Sequence, residues 1–212
     1  MSDFKRMMVR NVELNYPRLD QTYRYSRDAG KSVPVEIDAE KALWETSFIL
    51  DKERGVKLWK DAQAHYEDCK KNGMKFGNKP MGKFDTVHGY KELDDGRIQF
   101  KAKKFAKNKQ GKIADIPRLI DGQKRPLENR AIWSGSIGSV RFSMLPTSDN
   151  INQRLGVTFY LDAVQVLDAK YGGDGLDDFE MVEDQAATDI AGLPKVDYDT
   201  STDNEFDDEI PF

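Results

Sequence analysis

From residue 97 to residue 103 polar and apolar side chains alternate, and a period of two fits a half-buried β-strand rather than a helix. Ile98, Phe100 and Ala102 then face a core, while Arg97, Gln99, Lys101, Lys103 and Phe105 share the opposite face. That outer row holds three cations, an amide and an aromatic ring. From Arg97 to Lys112 there are seven Lys/Arg and no acid, the local pattern of a surface that follows a phosphodiester backbone. A merely solubilising strand face accounts for the lysines and leaves Phe105 without a reason.

The rest of the body is consistent with a barrel built around this strand. Residues 8–16 form a strand with Met8, Val12, Leu14 and Tyr16 on one side, stopped by Pro17. Residues 46–50 form another, preceded by Trp44 and an extended piece at 33–37. The turn Asp94-Asp95-Gly96 joins a weak strand at 87–91 to the strand at 97–105. A further pair, 132–144 and 156–166, is connected by the polar stretch 146–154. From 52 to 72 the period becomes helical, with Val56, Trp59, Gln63 and Tyr66 on one stripe, Leu58, Ala62 and Cys69 beside it, and Gly73 as the stop. Five or six strands and one main helix predict a mostly β protein, a small and mostly antiparallel barrel. The segment 75–84 mixes three lysines, two phenylalanines and three Gly/Pro breakers, and reads as a basic, aromatic loop.

Single-strand binding without sequence preference calls for cations along the backbone and aromatic faces under the bases. Beyond the outer row, the candidates are Lys75, Phe76, Lys79, Lys83, Tyr90, Lys91, Lys107, Lys109, Trp133, Arg141 and Tyr160. Catalysis finds less support. His65 and Cys69 are spaced i, i+4 on the helix but lack a second ligand pair, so neither a metal nor another cofactor is expected. Gly135-Ser136-Ile137-Gly138 lacks the lysine of a phosphate-binding loop. Acid pairs such as Asp51/Glu53 and Asp94/Asp95 keep a Mg²⁺-dependent nuclease as an alternative, although they fall at a helix start and a turn. An architectural protein for double-stranded DNA is the third reading.

Charge divides the chain in two. Residues 1–173 hold 32 Lys/Arg against 23 Asp/Glu, whereas 174–212 hold one Lys against 14 Asp/Glu. The first segment is expected to be the DNA-binding domain. The second is expected to be a flexible acidic tail, with at most a short helix at 179–190. Its tip, Asp207-Asp208-Glu209-Ile210-Pro211-Phe212, ends on an apolar plug and a carboxylate that a partner with a basic-rimmed pocket could capture. With no apolar run long enough to span a bilayer, no signal-peptide pattern and a single cysteine, the expectation is a soluble protein of the cytosol.

The tip is very similar to that of bacterial single-stranded DNA-binding proteins, with Glu209 where they usually carry a third Asp. The body resembles the bacteriophage single-stranded DNA-binding proteins of the T7-like type. The resemblance rests on Asp95-Gly96-Arg97-Ile98-Gln99-Phe100-Lys101-Ala102-Lys103, then Gly138-Ser139-Val140-Arg141-Phe142-Ser143-Met144-Leu145-Pro146, then Val164-Gln165-Val166-Leu167-Asp168 leading through Tyr171-Gly172-Gly173 into acids. It implies a five-stranded OB-fold barrel that coats single strands during viral replication and recombination in the cytoplasm of the infected bacterial host. It also implies that the tail contacts replication proteins. The helix precedes the strand at 97–105, unlike the bacterial tetramer-forming type, so a monomer or homodimer is expected.

Overall fold

The computed structural model describes residues 4–108, 110–148 and 154–171; Lys109, the possible helix at 179–190 and the acidic tip lie outside the described residues. Five strands build the barrel: β1 (Lys5–Ser26), β2 (Leu43–Leu50), β3 (Ile98–Phe105), β4 (Ile137–Ser148) and β5 (Leu155–Asp168). β1 pairs antiparallel with β2 and with β4, β2 with β3, and β4 with β5. A short parallel seam, Ala102↔Phe159 and Lys103↔Tyr160, closes the circle between β3 and β5. The circular order β1, β2, β3, β5, β4 is a five-stranded Greek-key barrel, the OB-fold.

Each strand after β1 sends one phenylalanine to the centre. Phe48, Phe100, Phe142 and Phe159 are all fully buried, with ring centroids 4.4 Å apart for Phe142/Phe159 and 5.6 Å for Phe48/Phe142 and Phe100/Phe159. Offset rings at such spacings attract beyond their area alone. β1 contributes Val12 and Leu14 to the same core.

β1 does not stop at Pro17. Its register with β2 slips between Asn15 and Arg18, so Pro17 sits at an irregularity where a missing N–H breaks no regular ladder. A second slip, between Val9 and Val12 on the β4 side, brings Asn11 to φ +51° and inverts the side-chain parity. Met7 and Val9 therefore pack on the core while Met8 is exposed, and Tyr16 is exposed as well. β4 likewise begins later than the pattern at 132 suggests and continues through Pro146, beyond its last β1 partner at Lys5↔Met144.

The helix α1 (Lys52–Lys71) follows β2 directly. Asp51 caps it by accepting the Arg54 N–H through Oδ1 at 2.8 Å. At the other end Gly73, at φ +80°, donates to the Lys70 carbonyl and Met74 to that of Cys69, a Schellman closure. Its buried face is Gly55, Leu58, Ala62, His65, Tyr66 and Cys69, so the stripe runs one position off the expected one and Val56 is exposed. Gly55 is needed here: a Cβ at that position would lie 2.7 Å from Ile98 Cβ. The loop at 75–84 folds into a small hairpin, Lys75–Phe76 against Lys79–Pro80, and buries Met81 and Phe84 under α1. No helix among the described residues is long and apolar enough to cross a membrane.

Candidate nucleic-acid interface

Alternation turns every second residue of the β1–β2–β3 wall outward. In β3 these are Gln99, Lys101, Lys103 and Phe105, and their β2 partners are Ile49, Ser47, Glu45 and Leu43. β1 adds Glu13, Asn15 and Arg18 at the levels of Ile49, Ser47 and Glu45. Asn15 Nδ2 donates to Gln99 Oε1 at 2.8 Å across the wall.

Arg97, Lys101 and Arg18 on this wall are held by acids. Arg97 binds Glu13 and Asp95, each at 2.6 Å, and both partners raise its pKa. Asp95 also accepts the Arg97 backbone N–H, so its carboxylate serves the hairpin turn. Lys101 Nζ lies 3.2 Å from Glu45 Oε2, while Arg18 takes Oε1 and Ser32 donates to the same oxygen at 3.3 Å. Lys103 Nζ stands 5.4 Å from the centroid of the Phe105 ring.

Glu45 is buried, its side chain 8% exposed, in the middle of a basic wall. Burial disfavours its charge, but Lys101 and Arg18 together outweigh that and hold its carboxyl below the usual range. A depressed folded pKa means that Glu45 adds stability fully present above its unfolded value of about 4.3 and lost as pH falls through the folded one. Unfolding in urea across this acid range is expected to show a shallower loss of stability for Glu45→Gln than for the unaltered protein. Equal slopes would remove Glu45 from the acid response.

A cleft of about 310 Å³ opens on this wall. Tyr16 and Tyr25 flank it, Arg18, Lys31 and Lys101 give it charge, and Glu45, Ser47 and Gln99 line it. Lys31 and Tyr25 come from a hairpin in which Lys31–Pro34 pairs with the end of β1. A second cleft of about 300 Å³ adjoins it, sharing Tyr16 and Arg18 and adding Pro17, Tyr23, Trp133 and Ser134. Three aromatic side chains stand unusually open: Tyr16 at 64%, Tyr25 at 63% and Trp133 at 57%. Large rings left in water beside cations are the arrangement that stacks unpaired bases.

The sequence candidates fall into groups. Gln99, Lys101, Lys103 and Phe105 share the wall, Lys91 pairs with Gln99 at its edge, and Tyr160 pairs with Lys103 across the seam. Trp133 joins from beyond β1. Lys75, Lys79 and Lys83 are exposed on the small hairpin and the segment after it, where Phe76 is half-buried with its ring 6.5 Å from that of Tyr66. Tyr90 turns its ring toward Phe100, into a separate cleft with Val56 and Trp59. Lys107 donates to the Asp38 carbonyl, and Arg141 lies on β4 between Met8 and Ala163, on another wall. Tyr16, Arg18, Tyr25 and Lys31 are not among the sequence candidates, because β1 continues past Pro17, where the expected strand ends. Their signal is the interleaving of tyrosine with arginine in Tyr16-Pro17-Arg18 and Tyr23-Arg24-Tyr25.

No protein-family model matches this chain, and no curated protein does. Among solved structures it is similar to gp2.5, a single-stranded DNA-binding protein encoded by bacteriophage T7. There the TM-score is 0.52 and the identity 18%, over 86% of this chain and 97% of that one. It is also similar to the single-stranded DNA-binding protein from bacteriophage Enc34 in complex with single-stranded DNA. That match has a TM-score of 0.51 and 16% identity, over 79% of this chain and 88% of the other. This chain has their fold. At these identities the likeness concerns the OB-fold backbone, and the side chains must speak for themselves. In OB-folds the face of strands 2 and 3 with the loop between strands 1 and 2 is the usual oligonucleotide site. Here that location holds the cleft of Tyr16, Tyr25, Lys31 and Lys101.

Proposed function

We propose that this protein binds single-stranded DNA, without catalysis, in phage DNA replication and recombination. Residues 1–173 act as the binding domain and the acidic segment 174–212 as its competitor and as a docking arm for replication partners. The carrying observation is the cleft on the β2–β3 face, where exposed Tyr16 and Tyr25 stand beside Arg18, Lys31 and Lys101. Bases stack on the rings and phosphates take the cations. The two phage proteins named above bind single strands, which supports this ligand for a chain of the same fold. The protein works in the cytoplasm of the infected bacterial host as a monomer or homodimer.

The opposite charge of the two segments motivates the competitor role. A tethered acidic segment meets the basic wall at an effective concentration of about millimolar order, so DNA must displace it. The apolar Ile210-Pro211-Phe212 stretch then becomes available to a partner pocket.

Titration of labelled single- and double-stranded oligonucleotides over a salt series tests the reading. Single strands should win the competition, with a log-log slope of about −0.7 per phosphate neutralised. Binding that is absent or indifferent to salt would overturn it, and DNA cleavage in Mg²⁺ would favour a nuclease. Truncation after Gly173 should tighten binding at low salt and abolish capture of replication proteins; weaker DNA binding by the folded truncation would remove the competitor role.

A further inference from the structure

Tyr16 holds a backbone conformation that its side chain disfavours. Its φ is +47°, in the left-handed region where Cβ crowds the backbone and glycine is at ease. The other β1 irregularity places Asn11 at φ +51°, but asparagine tolerates that region far better than a bulky aromatic residue does. Core packing does not explain the choice, because the Tyr16 side chain is largely in water.

The surroundings enforce the conformation from both sides. The Tyr16 N–H donates to Ser134 Oγ at 2.9 Å, and Pro17 follows at the register slip between Asn15 and Arg18. Two residues earlier, Leu14 exchanges both backbone hydrogen bonds with the 134–136 segment, its N–H to the Ser136 carbonyl and its carbonyl to the Gly135 N–H, each at 2.8 Å. What the distortion yields is a position. Tyr16 becomes the wall common to the Tyr25/Lys101 cleft and the Tyr23/Trp133 cleft, with Arg18 also lining both. Strain retained by an exposed residue between two binding surfaces points to function.

We infer that Tyr16 is a base-stacking residue and that a single strand crosses β1 at this bulge, passing from Tyr25 over Tyr16 to Trp133. This rests on the single-strand reading above and deepens it by adding a second base seat off the β2–β3 face. The ligand class is unpaired bases, since bases stacked inside a duplex cannot reach three separate rings.

The full-length chain carrying Tyr16→Gly, Tyr16→Asn or Tyr16→Phe separates the outcomes. Glycine and asparagine lift the strain and remove the ring; phenylalanine keeps the ring. Tyr16→Gly should raise the melting temperature by about 2–4 °C while weakening binding of an oligothymidine about tenfold. Tyr16→Asn should weaken binding similarly, and Tyr16→Phe should bind as the unaltered protein does. The same oligonucleotide should quench tryptophan fluorescence, and Trp133→Phe should abolish most of that quench. Unchanged affinity in the glycine and asparagine variants, alongside salt-dependent binding by the unaltered protein, overturns the role of Tyr16 and leaves the single-strand reading standing. A lowered melting temperature in Tyr16→Gly also overturns it, since the conformation would then serve stability. Absence of binding by the unaltered protein overturns both.

Discussion

Replacing Lys101 and Lys103 together with glutamine is expected to weaken binding of a single-stranded oligonucleotide about 100-fold at low salt, from the loss of two charge-assisted contacts of about 1.5 kcal/mol each. The salt slope should also flatten by about 1.4, because two phosphates are no longer neutralised. Both residues project from β3 onto the wall that carries the cleft or borders it. Glutamine is the informative replacement. A carboxylate at position 101 would stand against the buried Glu45, 3.2 Å from the present ammonium, and confuse lost binding with lost folding. With glutamine, Arg18 still faces Glu45 and the barrel should melt within a few degrees of the unaltered protein. Full affinity in a folded double variant would move the DNA path to another wall.

Phe142→Ala is expected to have the largest effect on stability, about 3–5 kcal/mol, or a fall of roughly 10 °C or more in melting temperature. Phe142 is fully buried and its ring is stacked on both Phe48 and Phe159. A cavity there touches rings from two other strands, and the closed barrel gives them little room to collapse inward. Leu167→Ala makes a suitable control, since Leu167 is 46% exposed near the end of β5 and its loss should cost at most about 0.5 kcal/mol. Thermal or urea unfolding followed by circular dichroism distinguishes them. A Phe142→Ala protein as stable as the control would mean that the four rings are not the core's main contact.

The barrel was legible wherever a strand kept its period. β3 reads correctly because alternation holds from Ile98 to Lys103 and the buried residues are Ile98, Phe100 and Ala102. The ends of α1 were equally plain, since Asp51 and Gly73 are chemical stops rather than statistical ones. Its buried stripe departs from the expected one because Gly55 and His65 carry no hydrophobic signal, yet packing selects one for smallness and buries the other. β1 was legible only in part, since bulges at Asn11 and Tyr16 shift the parity on which such a reading depends. The candidate site suffered most from this. Arg18, Tyr25 and Lys31 become neighbours of Lys101 only because β1 continues past Pro17 and folds back as a hairpin. Glu45 gave no warning either, as its cations come from strands far away in sequence.

The pairing of β1 with β4 sets an order on how the chain can be made. Lys5, Arg6 and Met7 find their partners at Met144, Ser143 and Phe142, so the first strand leaves the ribosome long before its β4 ladder exists. The seam between Ala102 and Phe159 waits longer still. Until then the three-stranded meander has two open edges, the state in which strands most readily pair with the wrong neighbour. Only the emergence of β5 completes the circle, and the acidic segment follows it out of the ribosome. The strands of the basic wall thus emerge in full before the stretch best matched to them in charge.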